Sequence, residues 1–169
     1  MDYQEITKEL SSNKTIFRQM LSGLHEDMIL WRPLPEKWCM LEIICHLYDE
    51  EREDFRARTK QVLENPGLQL PQFDPQAWVE SRRYMEQDYQ AKLNDFLEER
   101  TQSVEWLQNL ADPDWNNAYD HPKIGKMTAW MFLSNWLAHD YLHIRQVMKL
   151  KFEYLKIKAN EDLTYAGSW

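Results

Sequence analysis

Phe132-Leu133-Ser134-Asn135-Trp136-Leu137-Ala138-His139-Asp140-Tyr141-Leu142-His143-Ile144-Arg145-Gln146-Val147-Met148-Lys149-Leu150 is the stretch that decides how this chain folds. Phe132, Trp136, His139, His143, Val147 and Leu150 recur at spacings of three and four, which is one stripe of a helix with 3.6 residues per turn. Ser134, Asn135, Asp140, Arg145, Gln146 and Lys149 fall elsewhere. The pattern predicts a helix from about Met127 to Leu150 with one buried apolar face. His139 and His143 lie on that face, one turn apart, about 6 Å along the axis.

Two neutral imidazoles on an apolar face each need partners for both ring nitrogens. Locally the pair has two readings, satisfied core histidines or two ligands of one metal ion. His46 stands in a second helical pattern, E-I-I-C-H-L-Y-D-E-E, and two helices packed side by side would add it as a third nitrogen. Three protein ligands leave a position for water or substrate, as in catalytic rather than structural zinc sites. His25, beside Glu26 and Asp27, and His121, before Pro122, are expected at the surface.

Working outward, three more helices are expected. The first runs from about Tyr3 to Leu24, with Ile6, Leu10, Ile16, Met20 and Leu24 as its stripe. Arg32-Pro33-Leu34-Pro35 breaks the chain, and the second helix runs from about Met40 to Glu64, stopped by Asn65-Pro66-Gly67. Asp74-Pro75 reads as an N-cap and first helical residue of a short helix through Trp78. The third long helix covers about Ser81 to Leu110, and Trp115 to Lys126 reads as a loop. The expected fold is all-α: a four-helix bundle over about residues 3–150, with a longer crossover connection and a tail over 151–169. At 169 residues one domain suffices, and four glycines against 43 % hydrophobic residues favour helices over a turn-rich β fold. Leu163, Tyr165 and Trp169 make the tail apolar enough to expect packing, on its own bundle or on a neighbour.

A net charge of −8 argues against a phosphate backbone as partner, so no nucleic acid is expected. The start, Met-Asp-Tyr-Gln-Glu-Ile, carries neither the basic nor the apolar segment of a secretory leader. The longest apolar run, Ala129 to Leu133, is too short for a bilayer, so no membrane partner is expected. Cys39 and Cys45 form no disulfide framework or CxxC motif, are read as structural, and fit a reducing cytoplasm.

Around His46, Ile43, Glu50, Glu53 and Ala57 share a helical face, and Asp49 lies at i+3. Glu50 and Asp49 are candidates to orient an imidazole, act as general base, or touch the metal. Most of the run Asp49, Glu50, Glu51, Glu53, Asp54 is otherwise expected to be a solvated acidic face. Trp38 and Trp136 are placed to wall the pocket. Counting excludes other chemistries. The residues three before each histidine are Ser22, Ile43, Ala118, Trp136 and Asp140, so no Glu-x-x-His di-iron motif exists. His-Glu-x-x-His and G-x-S-x-G are absent as well.

Three pieces of the chain resemble the DinB-like superfamily. Lys37-Trp38-Cys39-Met40-Leu41-Glu42-Ile43-Ile44-Cys45-His46-Leu47-Tyr48-Asp49-Glu50 is similar to its Trp-Ser-x-x-Glu-x-x-x-His-Leu-x-Asp signature. Gly125-Lys126-Met127-Thr128 leads into His139-Asp140-x-x-His143-Ile144-x-Gln146, and the layout puts one ligand on the second helix and two on the fourth. The resemblance implies a DinB-like four-helix bundle with one divalent metal at His46, His139 and His143. Zinc or nickel suits the nitrogens best, with iron, cobalt or manganese admissible. It further implies either a metal-dependent hydrolase or a transferase using a low-molecular-weight thiol, acting on a small molecule, and a homodimer. A reading from a different class is a non-catalytic stress-response bundle that binds metal or a small ligand. Cys39 departs from the pattern, because the family places Ser or Thr there, and a thiol is a poor cap acceptor.

Overall fold

The structure, a computed structural model, describes residues 1–71 and 74–167. Helix α1 spans Tyr3–Leu21. Asp2 opens it with a capping box: its carboxylate accepts from Glu5 N at 2.8 Å, and Glu5 accepts from Asp2 N at 2.7 Å. Gly23, at φ +68°, takes the left-handed conformation that stops it short of the expected Leu24. The buried stripe is Ile6, Leu10, Asn13, Phe17 and Leu21, while Ile16 is 37 % exposed. The expected stripe slipped by a residue because Asn13 occupies a core position, where Asp140 Oδ2 accepts its amide at 3.0 Å.

After the short α2 (Glu26–Ile29), the second bundle helix is continuous from Met40 to Glu64, as its pattern predicts, but not uniform. It consists of α3 (Met40–Asp49), a π-helical turn (Glu50–Phe55) and α4 (Arg56–Glu64). Cys39 precedes it, and Glu42 supplies the reciprocal half of the cap by accepting from Cys39 N at 2.9 Å. Helix α5 (Pro75–Ser81) begins at the expected Asp74 cap and runs three residues past Trp78.

The third long helix, α6, spans Tyr89–Gln108 and starts well after the expected Ser81. Arg83 turns the chain at φ +50°, Tyr84–Glu86 form a 3₁₀ turn, and Asp88 caps α6 by accepting from Ala91 N at 2.6 Å. Tertiary contact explains the miss: Tyr84 is buried and donates to Asp49, which pulls the chain off the helical path. The expected loop over 115–126 contains a hairpin instead. Strand β1 (Ala118–His121) pairs antiparallel with β2 (Gly125–Thr128), with Ala118 opposite Thr128 and His121 opposite Gly125. Thr128 then caps α7 (Ala129–Ala159), nine residues longer than the expected end at Leu150. The tail therefore begins at Asn160, not at residue 151. Tyr165 is fully exposed and Leu163 half-buried, because Asp162 turns the segment on itself by accepting from both N and Oγ1 of Thr164. Trp169 lies outside the described residues.

Helix α1 packs on α6 and α7, and the α3–α4 helix packs on the same two, so α1 and α3–α4 are diagonal across a four-helix bundle. Two connections therefore cross a diagonal, α1 to α3 and α6 to α7. Of three apolar clusters among the described residues, two fill the middle of the bundle. One contains Phe17, Leu47, Leu97 and Val147, and the other Leu10, Phe55, Val104 and Leu137. On every helix a polar residue separates the two: Asn13 on α1, Glu51 in the π turn, Arg100 on α6 and Asp140 on α7. That polar layer carries the candidate site.

Candidate metal centre

His46 comes from α3, and His139 and His143 from successive turns of α7. Their Nε2 atoms converge: His46 to His139 at 3.2 Å and His143 to His139 at 3.0 Å. One nitrogen from each lies within 4.8 Å of both others. Two nitrogens each about 2.05 Å from a tetrahedral ion are about 3.3 Å apart, so the spacing fits metal ligation. The protonation chemistry fits as well. Burial pushes His46 down to about 3, His139 to about 2 and His143 to about 4, so all three are neutral imidazoles at neutral pH. The repulsion that a proton on each ring would meet from a protonated neighbour lowers His46 and His139 further, and for His139 the Arg100 charge adds to it. Nδ1 of His46 and Nδ1 of His143 are buried without a hydrogen-bond partner. Three lone-pair donors with no charge among them fit a divalent cation.

Aromatic rings enclose the cluster. Trp38 lies 4.8 Å from the His46 ring, as its position suggests. Phe55 meets His139 at 4.9 Å, and Trp136 stacks behind Phe55 at 6.0 Å. Trp136 is thus one layer back from the imidazoles, its indole N–H donating to Glu51 Oε2 at 2.8 Å.

The acidic run is not a solvated face. Asp49, Glu50, Glu51 and Asp54 are all buried, and only Glu53 is substantially open. Asp49, Glu51 and Glu53 have partners that the local pattern does not reveal. Asp49 accepts from Tyr84 Oη at 2.6 Å and pairs with Arg82 at 2.7 Å, which ties it to the 82–84 segment. Glu53 takes both Arg82 nitrogens, at 3.0 and 2.7 Å. Glu51 binds Arg100 through two bonds of 2.8 Å. Glu50 alone reaches the metal ligands, with Oε1 3.8 Å from His46 Nδ1. Burial, and after it the neighbouring Asp54 carboxylate, raise Glu50 to about 8. Burial also raises Asp54, against the opposing pull of Arg58. Of the two candidate bases, the structure brings Glu50 to the cluster and commits Asp49 elsewhere.

The remaining histidines are apart from the cluster, as expected. His25 caps α2, its Nδ1 accepting from Asp27 N at 3.3 Å. His121 Nδ1 accepts from the N–H groups of Lys123 and Ile124 in the hairpin turn. Cys39 and Cys45 are buried free thiols. Sequence reading missed Arg100, which is 1 % exposed and grips both Glu51 and Asp140 beside His139. The available signal was its place on the apolar side of a long helix, where an arginine demands buried carboxylates.

No helix among the described residues is long and apolar enough to cross a membrane. The chain is similar in fold to YfiT from Bacillus subtilis, described as a probable metal-dependent hydrolase with an unusual four-helix bundle topology. The superposition has a TM-score of 0.79 at 18 % identity, covering 90 % of this chain and 87 % of that one. No curated protein sequence matches the chain. The sequence model of the DinB superfamily matches residues 9–147, a span that holds all three clustered histidines. The chain belongs to the DinB superfamily.

Proposed function

We propose that this protein is a metal-dependent hydrolase of a small molecule, with one divalent ion, zinc or nickel, held by His46, His139 and His143. The observation that carries this reading is the meeting of three neutral imidazole nitrogens, joined by no fourth His, Cys, Asp or Glu ligand atom among the described residues. A bound ion would supply Lewis acidity at its open position. The protein's own residues do the rest. Trp38 and Phe55 exclude bulk water from one side of the cluster and strengthen its electrostatics. Glu50, raised to about 8, is poised to exchange a proton near neutral pH, which suits a general base for water attack. That carboxyl favours hydrolysis over thiol transfer, since a thiol has a far lower intrinsic pKa than water and needs less help to ionise. The two free buried cysteines and the absence of a spanning helix among the described residues support a reducing cytoplasm as its place of work.

The test is metal analysis of protein purified without an affinity tag, followed by a panel of ester, amide and lactone substrates assayed with and without low-molecular-weight thiols. Turnover that needs metal but no thiol supports the proposal, whereas turnover only with thiol makes the protein a transferase. Cobalt substitution gives an independent readout. A visible spectrum that shifts on adding azide reports an open position, and an unresponsive four-ligand spectrum overturns the catalytic reading in favour of a binding role.

A further inference from the structure

Four residues form a strip down one helix: His46, Glu50, Asp54 and Arg58, at intervals of four. All are buried, at 6, 5, 7 and 9 % exposure. Each touches the next. His46 Nδ1 lies 3.8 Å from Glu50 Oε1. The Glu50 and Asp54 carboxyls, one turn apart and both buried, lie close enough that the Asp54 charge helps to raise Glu50. Asp54 Oδ1 is 2.5 Å from Arg58 Nε, and the Arg58 guanidinium donates to the Pro71 carbonyl at 2.7 Å. The far end of the strip is thus anchored to a loop outside the helix.

The π turn keeps the strip straight. In an α-helix, residues four apart overshoot one turn, so a run of such steps winds off the face. The turn at Glu50–Phe55 is wider, closed by i→i+5 bonds, and a four-residue step there falls short of a full turn. The two offsets oppose, so Asp54 stays in line with His46 and Glu50, whereas in a uniform α-helix Asp54 would wind off that line and Glu53 would be the residue closer to the His46 face. Glu53 has gone to Arg82.

We infer that Asp54, held by Arg58, is a positioning residue for the metal centre: it fixes the Glu50 carboxyl beside Nδ1 of His46. The inference rests on the metal reading above. A histidine that ligates through one nitrogen is oriented, and its tautomer set, by the carboxylate that receives the N–H of the other. His46 Nδ1 has no hydrogen-bond partner, and Glu50 is the carboxyl that stands beside it. An unrestrained glutamate has three side-chain torsions and would sample other positions. A buried Asp–Arg pair is poor value as a stabiliser, because an apolar pair of similar volume is often as good, so its worth here lies in placing Glu50.

The test is cobalt titration of the full chain and of Asp54→Asn, Arg58→Met, the double variant, and Lys60→Met as an exposed control on the same helix. Each single variant is expected to bind cobalt about 10–100-fold more weakly, with an altered visible spectrum, and the control is expected to match the parent. The double variant should be no weaker than the weaker single, since both act through one chain of contacts. In the metal-free protein, nitrogen-15 shifts of the His46 ring should move from one tautomer toward a mixture in Asp54→Asn. If Asp54→Asn fails to fold, the double variant, which leaves no unpaired buried charge, carries the same test. Cobalt affinity within about twofold of the parent, with unchanged spectrum and His46 shifts, overturns the inference and leaves the metal centre standing. Failure of the parent itself to bind cobalt overturns the metal centre, and this inference with it.

Discussion

Two polar clusters lie at one level of the bundle, and they differ in whether the chain completes them. Around Arg100 every demand is met. Its guanidinium has five N–H donors and makes five bonds: two to Glu51, two to Asp140 and one to the Leu10 carbonyl at 3.2 Å. Trp136 and Asn13 add a donor each to the same two carboxylates. Burial alone would lower the Arg100 pKa, but the two carboxylates more than offset that and raise it. One residue along α7 from Asp140, at His139, the histidine cluster has no such closure. Its rings are neutral, their nitrogens face one another, and two Nδ1 atoms lack partners. A buried network that satisfies itself is structural, while one left short of a cation is where an added group belongs.

Breaking the closed cluster should have the largest effect on the fold. Arg100→Met strands two buried carboxylates and is expected to cost about 3–5 kcal/mol, read as a lowered midpoint in denaturant unfolding. The same loss of stability in His139→Ala would erase the distinction between the clusters. Instead His139→Ala should remove stoichiometric metal with little change in metal-free stability. Added metal at about a thousand times its Kd should stabilise the parent by about 4 kcal/mol and that variant not at all. Retention of full metal content by His139→Ala would refute the site.

The pH dependence of the metal-free protein sharpens the contrast. The three histidines are held below their ordinary 6.5, so below that pH the unfolded chain takes protons the folded one refuses, and stability falls. Each contributes up to about 1.4 kcal/mol per pH unit between 6.5 and its folded value. Glu50 acts oppositely: raised from 4.5 to about 8, it loses stability as pH rises through that window. Three histidines outweigh one carboxyl, so unfolding midpoints should peak near pH 6.5 and decline more steeply on the acid side. A flat profile from pH 5 to 7.5 would show that these groups are not held as described.

The smallest expected effect concerns assembly. Ile157, 60 % exposed at the end of α7, lines one hollow with the exposed Leu30, and Leu155 is 53 % exposed on a neighbouring face, which favours a homodimer through this end. Light scattering at micromolar concentration should give twice the chain mass, reduced to one by Leu155→Glu with Ile157→Glu. A monomer in the parent ends that expectation. Truncation after Asn160 should leave metal content unchanged, with thermal stability altered only if the tail packs on a partner.

By itself, the sequence determined that the chain is a helical bundle and which three histidines come together. The first rests on local periodicity; the second rests on periodicity, which puts His139 and His143 four apart on one apolar stripe and His46 on another, together with the resemblance that groups the three. Caps were equally legible at Asp74, whose side chain bonds its own neighbours. Tertiary structure decided the rest, wherever a partner lies far along the chain. The acidic run after His46 looks solvated until Arg82 and Arg100 arrive from other elements to neutralise it and the Tyr84 hydroxyl to donate to Asp49. Asn13 looks like an interruption of α1 until Asp140, 127 positions away, takes its amide. The π turn is invisible in a pattern of residue types, because it is the packing of Phe55 on His139 and of Glu51 on Arg100 that makes the wider turn the better one. Periodicity records which face of a helix is buried. Whether a buried charge is tolerated depends on what meets it there, and that is set only when the helices pack.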